Sequence, residues 1–145
     1  MKLKFAAVAL AAAFTLPASA QTEIQWWHSM GGALGEWVND LAKDFNASQK
    51  DYKIVPTFKG SYDESMTAAI AAFRSGNAPH ILQVFEVGTA TMMAAKGAVV
   101  PVGKLMGDAG LKFDQSAYVP AVSGYYTAPN GQMLSFPFNL SLIHI

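Results

Sequence analysis

Two loops of this sequence place polar side chains where a strand is predicted to end and a helix to begin. One loop contains Tyr62, which offers a flat ring and a hydroxyl, and the other contains Glu86, which directly follows an apolar strand. Open α/β sheets bind ligands at such strand-to-helix loops. A carboxylate accepts hydrogen bonds from hydroxyls and repels anions. The pair therefore predicts a polyol site rather than a phosphate site, and the alternative is that both are ordinary surface residues.

The sequence lacks the residue patterns of the common catalytic and metal sites. No two of its histidines, His28, His80 and His144, have the spacing of a helical metal site, and there is no cysteine. It has no His-Glu-x-x-His motif, no Gly-x-Ser-x-Gly elbow, no Walker loop and no dinucleotide fingerprint. His28 is either a ligand contact or, more simply, a hydrogen-bonded loop residue, and His80 is expected to be structural. We therefore predict a protein that is not an enzyme and holds no metal or cofactor.

Asp63 and Glu64 are adjacent carboxylates whose position favours a structural role. Ser61 and Glu64 match the Ser-x-x-Glu capping box, in which each side chain satisfies a free backbone N–H at a helix start. Carboxylates in the first turn also complement the helix dipole. We interpret them as helix-start residues, and the alternative is a general acid–base pair.

Strand and helix patterns alternate along the chain and would position the two loops. Strands are predicted over residues 22–27, 52–58, 80–85 and 133–138. Helices are predicted over residues 34–45 and 61–75. Further helices are predicted through Met92 and Ala95, after Pro101, and near Tyr118. The apolar stripes of the first two helices are Leu34, Val38, Leu41 and Phe45, and Met66, Ile70 and Phe73. Such alternation predicts an α/β fold with a mostly parallel sheet flanked by helices. Pro56 favours an edge position for the second strand.

The charge balance excludes several classes of partner. Lys and Arg together number 10 and Asp and Glu together number 10, so the formal net charge is zero. Nucleic-acid binding and polybasic membrane docking both need a basic surface. We therefore expect neither, and the absence of cysteine excludes disulfides and thiolate chemistry.

Residues 1–20 have the pattern of a secretory signal peptide. Lys2 and Lys4 precede an apolar run, and the segment ends in Ala18-Ser19-Ala20. The run is too short to span a bilayer, and no later segment is apolar enough to do so. We expect cleavage after Ala20 and a soluble exported protein, and the alternative is a buried N-terminal helix.

Several stretches resemble the family 1 extracellular solute-binding proteins, which include the maltose binders. The matching stretches are residues 27–30, 51–57, 71–79, 81–84, 86–93 and 122–126. Residues 76–79, Gly-Asn-Ala-Pro, are common to the wider family, whereas residues 86–93 are particular to its glycerol-phosphate binders. The resemblance implies a two-lobed α/β protein, a monomer in the periplasm that closes around sn-glycerol-3-phosphate. It would deliver this ligand to the permease subunits and ATPase of an ABC transporter. It also implies ligand contacts from Tyr62, Glu86 and Ser141.

The end of the sequence departs from that family. After Asn139 the family continues into a strand and a second lobe, whereas this sequence reads Leu-Ser-Leu-Ile-His-Ile. We therefore expect residues 21–139 to be an incomplete N-terminal lobe, truncated before the second lobe, and residues 140–145 to be a non-native tail. The match of Ser141 would then be accidental.

Two alternative functions stay open at this point. A sugar- or polyol-binding member of the same family would use aromatic residues such as Trp26, Trp27 and Tyr62 to stack on a sugar ring. A secreted α/β hydrolase would need a nucleophile–base pair or a metal cluster, and the sequence has neither pattern.

Overall fold

The computed structural model describes residues 21–95, 97–112 and 114–139. The predicted signal peptide, Ser141 and the rest of the predicted tail lie outside these residues. The strands are β1 (Thr22–His28), β2 (Tyr52–Phe58) and β3 (Ile81–Leu82). The helices are α1 (Gly32–Ser48), α2 (Tyr62–Arg74), α3 (Glu86–Ala94), α4 (Val102–Asp108) and α5 (Pro120–Tyr125), with a 3-10 turn at Gln115–Ala117. Within these ranges, no helix combines the length and hydrophobicity that a bilayer crossing requires.

The three strands form a parallel sheet in the order β2-β1-β3, which confirms the predicted α/β class. Trp26 of β1 pairs with Pro56 on one side and with Ile81 on the other. In a parallel sheet all strands end at the same edge. The loops that follow β1, β2 and β3 therefore meet at one carboxyl edge, which is where the predicted ligand residues lie.

Side chains of α1 and the turn after it protect the outer edge of β2. Asn46 brackets Ile54: its Nδ2 donates to the carbonyl of Ile54 (2.8 Å) and its Oδ1 accepts from the N–H of Ile54 (2.7 Å). Gln49 does the same at Tyr52, with distances of 2.7 and 2.8 Å. The next outward-facing position is Pro56, which has no N–H to satisfy. Side-chain amides thus replace a missing strand neighbour, which keeps this edge from pairing with another chain.

Replacing Asn46 with alanine should lower the free energy of unfolding by about 1–3 kcal/mol, because both backbone groups of Ile54 lose their partner. Asn39→Ala is the matched control, since Asn39 lies exposed in the same helix and its side chain has no hydrogen bond to the described residues. Helix propensity changes equally in the two variants and cancels. Urea unfolding followed by tryptophan fluorescence would compare them. Equal midpoints for the two variants would contradict this role of Asn46.

The helices form as predicted, but their buried faces are smaller than the apolar stripes suggest. In α1 only Val38 of the predicted stripe is buried, and Leu34, Leu41 and Phe45 are 55%, 40% and 41% exposed. In α2 the buried residues are Ser65 and Ala69. Ile70 and Phe73 instead border an apolar cavity of about 860 Å³ beside β3, which leaves them partly accessible.

Two predicted strands are wrong in extent or in type. The strand predicted over residues 80–85 is reduced to Ile81–Leu82, because the chain turns into α3 at Phe85. Residues 133–138 form no strand, only a single bridge between Thr127 and Met133. The carbonyls of Met133 and Leu134 instead accept from the N–H groups of Gly103 (3.1 Å) and Val102 (3.2 Å) in the first turn of α4.

Candidate functional site

Backbone and side-chain hydrogen bonds join the three loops at the carboxyl edge of the sheet. The N–H of Lys59 donates to the carbonyl of His28 (2.9 Å), and the N–H of Gln83 donates to that of Trp27 (2.9 Å). The N–H of Ser29 donates to Oε1 of Gln83 (2.9 Å). Each loop is thus held against the end of a neighbouring strand, and the edge has a defined shape.

Tyr62 is the first residue of α2 and follows a helix start that is built as predicted. The Ser61 hydroxyl accepts from the N–H of Glu64 (3.3 Å), and the Glu64 carboxylate accepts from the N–H of Ser61 (2.7 Å). The backbone N–H and the hydroxyl of Ser61 lower the pKa of Glu64. Gly60 has a φ of +80°, which an L-residue adopts only with strain. The Glu64 carboxylate is therefore already hydrogen-bonded within the helix cap. The same cap fixes the position of Tyr62 at the start of α2.

Glu86 is the first residue of α3 and is exposed at the same edge. The ring of Phe85, the residue before it, stacks on the ring of Tyr62 at 5.3 Å between centroids and 15° between planes. The structure therefore brings the two predicted residues to neighbouring positions, linked by Phe85. A carboxylate and a phenol at one edge can accept hydrogen bonds from hydroxyls and pack a ring against a carbon chain.

Two tyrosines of this region were not predicted from the sequence. The hydroxyl of Tyr125 donates to the backbone carbonyl of Glu86 (2.9 Å). Burial, with smaller contributions from the charges of Tyr125 and Glu86, raises the pKa of Tyr126. Tyr126 therefore keeps its proton at neutral pH, close enough to Glu86 to sense its charge. The only sequence signal for them is the Tyr125-Tyr126 pair at the end of one matching stretch.

The two tryptophans of β1 already have protein partners. Trp26 packs edge-on against Phe138 with 5.5 Å between centroids, and Lys59 Nζ lies 3.9 Å from the centroid of the Trp27 ring. A cation over an aromatic face is a stabilising contact in its own right. The Lys59 ammonium therefore covers one face of the Trp27 ring, and Phe138 contacts the Trp26 ring.

His28 and His80 have structural hydrogen bonds. His28 is 3% exposed, and its Nδ1 accepts from the N–H of Met30 (3.3 Å). Burial lowers the pKa of His28, so the imidazole is neutral at pH 7. The Nδ1 of His80 accepts from the N–H of Gln25 (3.0 Å). Among the described ranges no group of three His, Cys, Asp or Glu residues is arranged to hold a metal ion.

Comparison with known proteins places the chain in a family. The bacterial extracellular solute-binding protein family matches residues 31–141. The sn-glycerol-3-phosphate-binding periplasmic protein UgpB of Rhizobium meliloti (strain 1021) is 50% identical over 141 residues, which cover 97% of this chain and 33% of the relative.

Two further relatives carry the same name and match similarly. The protein of Yersinia enterocolitica serotype O:8 is 60% identical over 135 residues, covering 92% of this chain and 30% of the relative. The protein of Brucella abortus (strain 2308) is 56% identical over 124 residues, covering 86% of this chain and 29% of the relative. The chain spans about a third of the length of these relatives. The extent of the family match and these identities show that the chain belongs to the bacterial extracellular solute-binding protein family.

Proposed function

We propose that this chain is the N-terminal part of the periplasmic binding component of an ABC importer for sn-glycerol-3-phosphate. The observation that carries the proposal is the stack of Tyr62 on Phe85, the residue before Glu86, at the carboxyl edge of a parallel sheet. Relatives named as sn-glycerol-3-phosphate-binding proteins support the choice of ligand. The protein would bind and release its ligand without catalysis.

The chemistry of the two side chains suggests how the ligand would lie. The exposed Glu86 carboxylate would accept hydrogen bonds from the two glycerol hydroxyls, and the Tyr62 ring would pack against the carbon chain. Because Glu86 repels a phosphate, the phosphate would point away from it, toward N–H or guanidinium donors of the rest of the longer protein. Glycerophosphodiesters fit the same scheme, since their free hydroxyls would face Glu86. Ser141 would be a third contact only if residues 140–145 belong to the native sequence.

The proposal also assigns the parts of the sequence. Residues 1–20 would be a signal peptide removed on export, residues 21–139 an N-terminal lobe, and residues 140–145 a non-native tail. The complete protein would be a soluble periplasmic monomer, and it would deliver the ligand to the permease and its ATPase. Sequencing the native DNA after codon 139 tests this assignment, because an open frame of the relatives' length is expected there.

Calorimetric titration of the full-length protein tests the ligand. We expect binding of sn-glycerol-3-phosphate at least about a hundredfold tighter than binding of glycerol, because glycerol lacks the charge-assisted hydrogen bonds of the phosphate. Maltose and other sugars should not compete. Tighter binding of a sugar than of sn-glycerol-3-phosphate would instead establish the sugar-binding alternative within the family.

A further inference from the structure

The first turn of α3 carries Glu86 but has no side-chain cap. Its N-cap residue is Phe85, and no side-chain hydrogen bond caps this end of the helix. The start of α2 differs, because Ser61 and Glu64 close a capping box there. An uncapped helix start has free N–H groups and frays more easily. Another contact must therefore hold Glu86 in place.

Tyr125 makes such a contact from a distant part of the chain. Its hydroxyl donates to the backbone carbonyl of Glu86 at 2.9 Å, across a separation of 39 residues. The residue before Glu86 is also held, because the ring of Phe85 stacks on the ring of Tyr62 with 5.3 Å between centroids. Residues Phe85 and Glu86 are thus held from two sides, by α2 through the Phe85 ring and by the end of α5 through the Glu86 carbonyl.

Tyr125 is itself held by its surroundings. Its ring meets Tyr126 edge-on, at 5.0 Å between centroids and 84° between planes. The carbonyl of Tyr126 accepts from the N–H of Leu134 (2.9 Å), and the Thr127 hydroxyl donates to the carbonyl of the buried Ser123 (2.7 Å). These bonds tie the end of α5 to the chain on both sides of Tyr125. The end of α5, which carries the Tyr125 hydroxyl, is therefore held in place.

We propose that Tyr125 is a positioning residue for ligand binding, which keeps Glu86 at the carboxyl edge of the sheet by holding the start of α3. The inference rests on the proposed function. Tyr125 acts through the backbone of Glu86, so its hydroxyl matters only while Glu86 contacts the ligand.

The test uses Tyr125→Phe in the full-length protein, titrated with sn-glycerol-3-phosphate. We expect binding weakened by about threefold to tenfold, the usual worth of one hydrogen bond. The matched control is Tyr52→Phe, because Tyr52 is half exposed at the opposite edge of the sheet and its hydroxyl has no hydrogen-bond partner among the described residues. Hydrogen exchange of the intrahelical N–H groups of α3 should accelerate in Tyr125→Phe and not in Tyr52→Phe.

A double-mutant cycle with Glu86→Ala separates positioning from general stability. In the Glu86→Ala background, Tyr125→Phe should cause no further loss of affinity, since the carboxylate that it positions is gone. Equal losses in both backgrounds, or full affinity for Tyr125→Phe alone, would overturn the positioning role and leave the proposed function standing. Full affinity for Glu86→Ala alone would overturn the proposed role of Glu86, and the role of Tyr125 with it.

Discussion

Residues 21–139, produced on their own, should bind sn-glycerol-3-phosphate at least about a hundredfold more weakly than the full-length protein. Protein sites bury most of a small ligand, whereas exposed Glu86 and half-buried Tyr62 offer one wall. The phosphate would lose its donors in the rest of the protein. Two lost hydrogen bonds to a charged group, at about 1.5–3 kcal/mol each, already exceed a hundredfold. Calorimetry on both proteins measures the difference.

The comparison is informative only if the shorter protein is folded. Far-UV circular dichroism and size-exclusion chromatography would establish this, and they matter because the 860 Å³ cavity beside β3 has a largely apolar lining. Exposed apolar surface of this kind promotes association. If the folded, monomeric segment binds within tenfold of the full-length protein, the ligand site is complete in this chain and the two-lobed proposal fails.

Replacing Glu86 with glutamine in the full-length protein should weaken binding of sn-glycerol-3-phosphate by about 10- to 100-fold. Glutamine keeps the size of the side chain and one acceptor oxygen but loses the charge that strengthens hydrogen bonds from hydroxyls. A hydrogen bond to a charged group contributes about 1.5–3 kcal/mol, which corresponds to this range. Calorimetric titration of the variant and the parent protein measures the change.

Two controls make the result specific to the glycerol end of the ligand. Glu36→Gln removes an exposed carboxylate from α1, where the described residues give it no ion pair, and should leave binding unchanged. Inorganic phosphate has no carbon-bound hydroxyl, so its weak binding should stay equal or rise in Glu86→Gln as repulsion is removed. A parallel loss for phosphate and for sn-glycerol-3-phosphate would show that Glu86 does not select hydroxyls.

The sequence predicted the local features of the fold well and the extent of its strands poorly. The capping box of Ser61 and Glu64 forms as predicted, and β2 has its predicted bounds at the sheet edge. These features depend on residues close in sequence. The strands predicted over 80–85 and 133–138 were wrong in extent or type because a strand exists only where a neighbour pairs with it. Apolar composition does not specify the neighbour.

The candidate site was likewise predicted from the sequence only in part. Tyr62 and Glu86 are predicted ligand contacts because each follows a predicted strand. The parallel order β2-β1-β3 brings the loops that carry them to the same edge of the sheet. Their roles as ligand contacts stay predictions. The Phe85 stack and the Tyr125 hydroxyl on Glu86 had no local signal, because each joins residues more than 20 positions apart.

By itself the sequence determined the capped start of α2, the edge position of β2 and the alternation of strand and helix, since each depends on neighbouring residues and on backbone chemistry. Only the tertiary structure decided which side chains meet: Asn46 on the edge of β2, Phe85 on Tyr62, and Tyr125 on Glu86. Such contacts depend on the packing of the whole chain, because the two partners lie on separate elements and meet only when those elements pack together.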